Sequence, residues 1–271
     1  MLVGLAGPIR QGLDVPVVCS LQGEDVYLDG LPEPYRTQAY DELYRQAKGV
    51  DLFVAPCRDH ARALAGRVGQ TVQNIAVVYP GIRTEDLQPA AYPPEDFTVG
   101  YLARIAPEKG LDRLLAALPE GARLQAAGWV SPEHEDFVAG VQAAAAPGQL
   151  EIHRDIDRAQ KAAFLQSINV LSVPTAYGAS KGLYLLEAWA AGVPVVQPRI
   201  GAFTELVEAT GGGILVPPHD TQALRQALDR LRDSPAEAQA LGAKGRRAVE
   251  QQFTAAHMAQ NTLAVYRKLV P

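Results

Sequence analysis

Cysteine is scarce in this chain: among 271 residues there are two, Cys19 and Cys57, too few and too far apart in sequence to staple a small fold or frame a zinc site. That scarcity points to a reducing cytoplasm. Histidine is sparse too, and His60, His134, His153, His219 and His257 show no metal-ligand spacing, so they read as surface or packing residues and no metal is expected. Positive charge is not in excess. A formal net charge of -5 at pH 7 without a basic run argues against nucleic acid as the main partner. No apolar run is long enough to span a bilayer, and the opening MLVGLAGPI is short and lacks a positive leader. This excludes a transmembrane segment and leaves peripheral membrane contact open. Repeats and low-complexity tracts are also missing.

What is present is material for a core. Hydrophobic residues make up 48% of the chain, enough at this length for two lobes. In the C-terminal part, strands are expected near 97–103, 123–127, 150–153, 169–173, 193–197 and 213–216, with helical patterns between most of them. Such alternation predicts a doubly wound parallel sheet, with Gly128 ending the second strand at a ligand-facing turn. Helices at 221–232, 235–251 and 255–269 close the chain, and Asp220 is placed to cap the first of them. The N-terminal part offers strands at 15–20, 51–55 and 75–79 with helices near 34–48 and 58–66. Three strands are half of what a doubly wound lobe normally contains.

The most informative window is PTAYGASKGLYLLEAWAAGVPVVQPRIGAFTEL, residues 174–206. Val170 to Val173 reads as a buried strand, Pro174 to Lys181 as a loop, and Gly182 as the start of a helix whose Leu183, Leu186, Ala190 and Ala191 share an apolar face. Gly192 stops the helix and Val193 to Val196 forms the next buried strand. A helix that starts straight after a strand leaves backbone N–H groups free at the carboxyl edge of the sheet, where phosphate is the usual occupant. Glu187, just over one turn in, repels phosphate but can accept hydrogen bonds from a neighbouring ribose diol. The same residues also read as a plain strand-loop-helix with a turn glycine and a solvated carboxylate.

This window resembles the C-terminal signature of the retaining glycosyltransferases of family 4, or group 1, through Gly182, Leu183, Leu186, Glu187, Ala188, Gly192, Pro194, Val195, Val196, Gly201, Glu205 and Leu206. Upstream, VGYLARIAPEKGLDRLL at 99–115 is similar to the family's Gly-Arg-x-x-x-x-Lys-Gly segment, and Tyr79, Pro80, Gly81 and Ile82 hold the places of its interdomain segment. The resemblance runs from about Val15 to the end. It implies an α/β fold of two Rossmann-like lobes, the B-type glycosyltransferase fold, with the N-terminal lobe incomplete. The expected division is a partial acceptor-side lobe at 1–90, a nucleotide-sugar lobe at 91–253, and a C-terminal helix at 254–271 that returns to the first lobe. The opening at Met1 leaves open a truncated gene, a late start, or a domain that has shed its front.

The resemblance also implies chemistry. Arg104 and Lys109 would act catalytically by holding the diphosphate of a nucleoside diphosphate sugar, stabilising charge as it departs. Ser180, Lys181, Gly182, Leu183 and Glu187 would bind the donor, with Glu187 on the ribose. The family uses no cofactor beyond this substrate, and its front-face attack passes the acceptor proton to the leaving phosphate, so no side-chain nucleophile is needed. The acceptor is an unknown hydroxyl. Exposed apolar surface on a short first lobe leaves self-association open.

Three positions depart from the family pattern. Ala179 stands where the first of two glutamates contacts the transferred sugar, and one lost charge-assisted hydrogen bond there amounts to about 1.5–3 kcal/mol. Lys181 replaces a phenylalanine. In LQGED at 21–25, Gln22 replaces a histidine, and Glu24, Asp25 and Asp29 form an acidic loop that reads as plainly solvated or, as the alternative, as meeting an acceptor hydroxyl or a metal. These departures keep a second reading alive, a catalytically silent nucleotide-binding or interaction module. An epimerase of the same fold fits the Leu-Glu-Ala window less well.

Overall fold

The computed structural model describes residues 3–91, 94–178 and 181–270. The chain forms two units. The first takes in the described residues up to Gly81, together with Lys181 and the stretch from Ala255, and the second takes in Ile82–Gly178 and Gly182–Thr254.

In the first unit, α1 (Ala6–Leu13), β1 (Val18–Ser20), α2 (Asp25–Asp29), α3 (Tyr35–Ala47), β2 (Leu52–Ala55), α4 (Arg58–Ala65) and β3 (Ile75–Val77) follow in order. The strands form a parallel sheet, β1-β2-β3, with Cys19 beside Phe53 and Phe53 beside Ile75. Its core gathers Leu21, Leu43, Phe53, Leu64, Val68 and Ile75. Helix α1 was not expected from the sequence; it is tied to the sheet by Arg10, which pairs at 2.8 Å with Asp51, whose other oxygen accepts from the Val17 N–H at 2.9 Å.

The second unit runs β4 (Thr98–Leu102), α5 (Leu111–Ala116), β5 (Arg123–Gly128), α6 (Glu135–Ala144), β6 (Leu150–Arg154), α7 (Arg158–Gln166), β7 (Val170–Leu171), α8 (Leu183–Ala190), β8 (Val195–Pro198), α9 (Gly201–Thr210), β9 (Gly213–Val216), α10 (Thr221–Asp233) and α11 (Pro235–Gln252). A further helix, α12 (Ala255–Tyr266), belongs to the first unit. The six strands are parallel in the order β6-β5-β4-β7-β8-β9. The chain therefore winds outward from β4, returns to its other side at β7, and winds outward again. The reversal between β4 and β7 is where the carboxyl ends of a parallel sheet open a crevice.

All five residues of β4 are buried, as a strand covered on both faces must be. Helix boundaries follow local chemistry. Asp157 and Gln160 form a reciprocal capping box at α7, and the Asp220 carboxylate accepts from the Ala223 N–H at 2.8 Å to open α10. Strand β7 is shorter than expected: the Ser172 N–H, donating to the Gly100 carbonyl at 2.9 Å, makes its last bond to β4, and Val173 is buried beyond it. In α8, the buried residues are Leu185, Leu186, Ala188, Trp189 and Ala190, whereas Leu183 is 40% exposed. The single apolar face expected to include Leu183 is thus corrected: the helix is buried around most of its girth, and its first residue faces outward.

Candidate nucleotide site

Gly182 caps α8 in the left-handed conformation (φ 63°), and a Cβ there would come within 2.8 Å of the Leu206 side chain. A glycine therefore meets both requirements, the turn and the close approach. It starts a helix whose first amides, on Leu183 and Tyr184, lie ahead of any intrahelical acceptor and so present donors at a partial positive charge.

Beside this helix start lies a cleft of about 520 Å³, open to solvent, at the ends of β4, β5 and β6. Leu183 and Glu187 line it from α8, Lys161 from α7, and Trp129 and Ile156 from the turns after β5 and β6. Gly128 fixes the shape of that rim, since a Cβ would stand 1.8 Å from the Ala103 carbonyl oxygen. One oxygen of Glu187 accepts from the Lys161 ammonium at 2.8 Å, with both side chains partly buried. The pair leaves the second carboxylate oxygen and the remaining ammonium protons for a polar guest. Tyr184 also lines the cleft; its hydroxyl has no hydrogen-bond partner among the described residues, and burial pushes its pKa well above the ordinary phenol value.

Arg104 and Lys109 follow β4 directly. The Tyr101 hydroxyl donates to the Arg104 carbonyl at 2.9 Å, and the Ile105 N–H donates to the Trp129 carbonyl at 2.9 Å, fixing the backbone between them. The Arg104 guanidinium is paired with the Glu108 carboxylate. Lys109 ends a 3-10 turn, Pro107–Lys109, with its ammonium 4.4 Å from the centre of the Tyr177 ring. The Glu108 carbonyl accepts from the Ala176 N–H at 2.8 Å and the Thr175 hydroxyl at 3.2 Å, so this turn is stitched to the loop that precedes α8. Arg104 and Lys109 do not themselves line the cleft. Leu102 and Ala103, which directly precede Arg104 in the chain, do.

Of the other residues singled out in the sequence, Ser180 and Ala179 lie outside the described residues. Lys181 groups with the first unit, where its charge acts on His60. His60 is 4% exposed; its Nε2 accepts from the Gly23 N–H at 3.0 Å and its Nδ1 lies 3.7 Å from Asp25. Burial holds its pKa below the ordinary imidazole value despite the opposing pull of Asp25, Glu24 and Asp59. The stretch expected as a solvated acidic loop is instead helical from Asp25 (α2) and turned inward: Glu24 accepts from the Gln22 N–H at 2.8 Å, one Asp25 oxygen is buried without a hydrogen-bond partner among the described residues, and Asp29 accepts from the Tyr40 hydroxyl at 2.8 Å and pairs with Arg67 at 3.1 Å. Among the described residues no group of three or more His, Cys, Asp or Glu is arranged to hold a metal, and no helix is long and apolar enough to cross a membrane. Sequence reasoning missed Lys161 and Trp129. A lysine four residues past the capping Asp157 carries no local signal of its partner, which lies 26 residues further on.

A parallel α/β sheet with a helix start and a polar cleft at the carboxyl ends of its strands defines the class of doubly wound, Rossmann-like folds. The chain belongs to the group 1 glycosyltransferases: the family described as "Glycosyl transferases group 1" matches residues 82–248. It is 28% identical over 260 residues to a D-inositol 3-phosphate glycosyltransferase of Mycobacterium avium, covering 89% of this chain and 60% of that protein. It is 35% identical over 147 residues to a phosphatidyl-myo-inositol mannosyltransferase of Mycolicibacterium smegmatis, covering 51% of this chain and 36% of the relative. The chain thus spans less than two thirds of these relatives' length. In fold it is similar to sucrose-phosphate synthase from Thermosynechococcus elongatus (TM-score 0.83, 24% identity, 97% of this chain and 70% of that one). It is also similar to Anabaena HepE in complex with UDP (TM-score 0.85, 17% identity, 98% and 76%). The architecture is accordingly the Rossmann-like, parallel α/β fold of the B-type glycosyltransferases.

Proposed function

We propose that this chain carries the donor site of a retaining glycosyltransferase of family 4, which moves a sugar from a nucleoside diphosphate to a hydroxyl acceptor. The observation that carries the reading is the meeting, in one cleft, of the amide-bearing start of α8 with the Glu187 carboxylate one turn further on. The amides of Leu183 and Tyr184 suit a terminal phosphate. Glu187, steadied by Lys161, suits a ribose diol. Arg104 and Lys109 take the diphosphate, for which they exchange Glu108 and the Tyr177 ring. In the reaction the bond between the sugar carbon and the diphosphate oxygen breaks, the acceptor oxygen bonds that carbon on the same face, and the acceptor proton passes to the departing phosphate. The charge that builds on the phosphate is what the cations and amides stabilise. The D-inositol 3-phosphate glycosyltransferase and the phosphatidyl-myo-inositol mannosyltransferase among its relatives agree with a hydroxyl acceptor. A cytoplasmic setting fits the two free thiols.

Arg104→Ala and Lys109→Ala should each weaken nucleoside diphosphate binding, measured by calorimetry, by about 1.5–3 kcal/mol. Unchanged affinity in both removes the assignment. Ala179, in place of a sugar-contacting glutamate, favours a second reading in which the nucleotide binds without turnover. Donor hydrolysis by the native chain excludes it, whereas binding without hydrolysis, in the native chain and in Ala179→Glu alike, supports it.

A further inference from the structure

The chain has two tryptophans, and they sit in opposite circumstances. Trp189 is fully buried in α8, with its indole N–H donating to the Gly212 carbonyl at 2.8 Å. Trp129 is 51% exposed, and its ring makes no aromatic or cation contact among the described residues. Its backbone is nevertheless held firmly. The carbonyl accepts from Ile105, and the preceding Gly128 is pressed against the Ala103 carbonyl at the end of the sheet. A large aromatic ring is therefore kept half in water on a fixed stem, in a cleft and not on an open surface. Exposure alone is ordinary, as Tyr27 at 72% shows; a ring held in a cleft beside polar groups is instead placed to meet a flat guest.

The rest of the cleft says what that guest is. Glu187 and Lys161 compensate each other's charge at the floor, and their remaining hydrogen-bonding capacity suits a ribose. The ring of Trp129 and the aliphatic Ile156 share the cleft with them, a flat aromatic surface and an apolar wall beside a sugar grip. A planar, heteroaromatic guest attached to that sugar fills the combination. We infer that Trp129 is the stacking platform for the nucleobase of the donor. The inference rests on the nucleotide-binding reading above and adds to it a binding residue that phosphate and ribose chemistry do not require. Because every base has a π face, the contact provides affinity and orientation without strongly selecting one base.

The test uses the full chain with UDP, GDP and ADP. Trp129 emits from a wet environment and Trp189 from a buried one, so the tightest-binding diphosphate should quench the exposed component of the tryptophan emission. Trp129→Ala should remove that quenching and weaken binding of this diphosphate, measured by calorimetry, by about tenfold or more. Trp129→Phe, which keeps a ring, should restore most of the affinity. If the nucleotide binds the wild-type chain but Trp129→Ala binds equally well, the inference is overturned while the donor site stands. If Trp129→Phe is as weak as Trp129→Ala, stacking is overturned as the cause. If none of the three diphosphates binds the wild-type chain, the donor site falls and the platform with it.

Discussion

In the first unit, the turn after β1 carries Gln22, Gly23, Glu24 and Asp25; in the second, the turn before α8 ends at Gly182, with Glu187 beyond it. Both follow a parallel strand, half-buried in β1 and fully buried in β7, and both are rich in polar groups. Their hydrogen bonds go to different places. In the first turn, Glu24 is used by Gln22, the Gly23 N–H by His60, and nearby Asp29 by Tyr40 and Arg67, while one Asp25 oxygen is buried 3.7 Å from His60 without a hydrogen-bond partner among the described residues. In the second, the first helix amides and one oxygen of Glu187 remain without protein partners among the described residues, on residues that line a cleft, and the Tyr184 hydroxyl is unpartnered but buried. Polar composition alone does not distinguish a site from a clamp. What distinguishes them is where the unused groups stand: the spare Asp25 oxygen is buried beside His60, whereas Glu187 and the first amides of α8 belong to residues that line an open cleft.

The strongest way to break this comparison is at the rim of the cleft. Gly128→Ala forces a Cβ into the Ala103 carbonyl, and the expected loss is about 3 kcal/mol of stability by urea unfolding. A change below 1 kcal/mol, by the same rough scale, would mean the β5 end yields easily and does not set the cleft's shape. Lys161→Met comes next, since it strips the partner from a partly buried carboxylate. Nucleoside diphosphate affinity should fall about tenfold, and the preference for ribose over deoxyribose diphosphates should shrink. Equal affinity for both sugars in the wild-type chain would detach Glu187 from the ribose. Asp220→Ala should lower stability by about 1 kcal/mol and leave nucleotide affinity unchanged, because that carboxylate only caps α10.

The smallest effect belongs to the first unit and sharpens the contrast. The pKa of His60 is depressed in the folded chain, mainly by burial and further by the charge of Lys181, against Asp25, Glu24 and Asp59. The unfolded chain therefore binds the proton more readily. The stability contributed by neutral His60 is present above its ordinary value of 6.5 and declines as pH falls through that value toward the folded pKa. Unfolding midpoints followed from neutral to mildly acidic pH should drop in the native chain and drop less in His60→Gln, whose amide oxygen can still accept from Gly23. Parallel curves would show that His60 is not the group responsible.

Much of the second unit is legible in the sequence because its signals are local. Continuous apolar runs mark the strands, Gly182 and Gly192 bracket α8, and Asp220 announces a helix. The parts that were not legible depend on tertiary partners. Leu183 was assigned to a buried face because α8 is apolar nearly all round, so periodicity cannot say which side meets the cleft. Lys161 reads as an ordinary helix lysine until α7 and α8 are folded against the same sheet. His60 has no spacing that betrays it, since its partner is a backbone N–H contributed by a turn 37 residues earlier. In the first unit, α1 and α2 are too short for periodicity to separate them from turns.

The central claim is that the start of α8, Glu187, Arg104 and Lys109 grip one nucleoside diphosphate. A crystal structure of the chain with its tightest-binding diphosphate tests it most directly. The account predicts phosphate oxygens on the amides of Leu183 and Tyr184, Arg104 turned from Glu108 to the diphosphate, Lys109 beside it, and the ribose diol on Glu187. A nucleotide bound elsewhere, or one bound in the cleft while Arg104 stays on Glu108 and Lys109 stays on Tyr177, would contradict it.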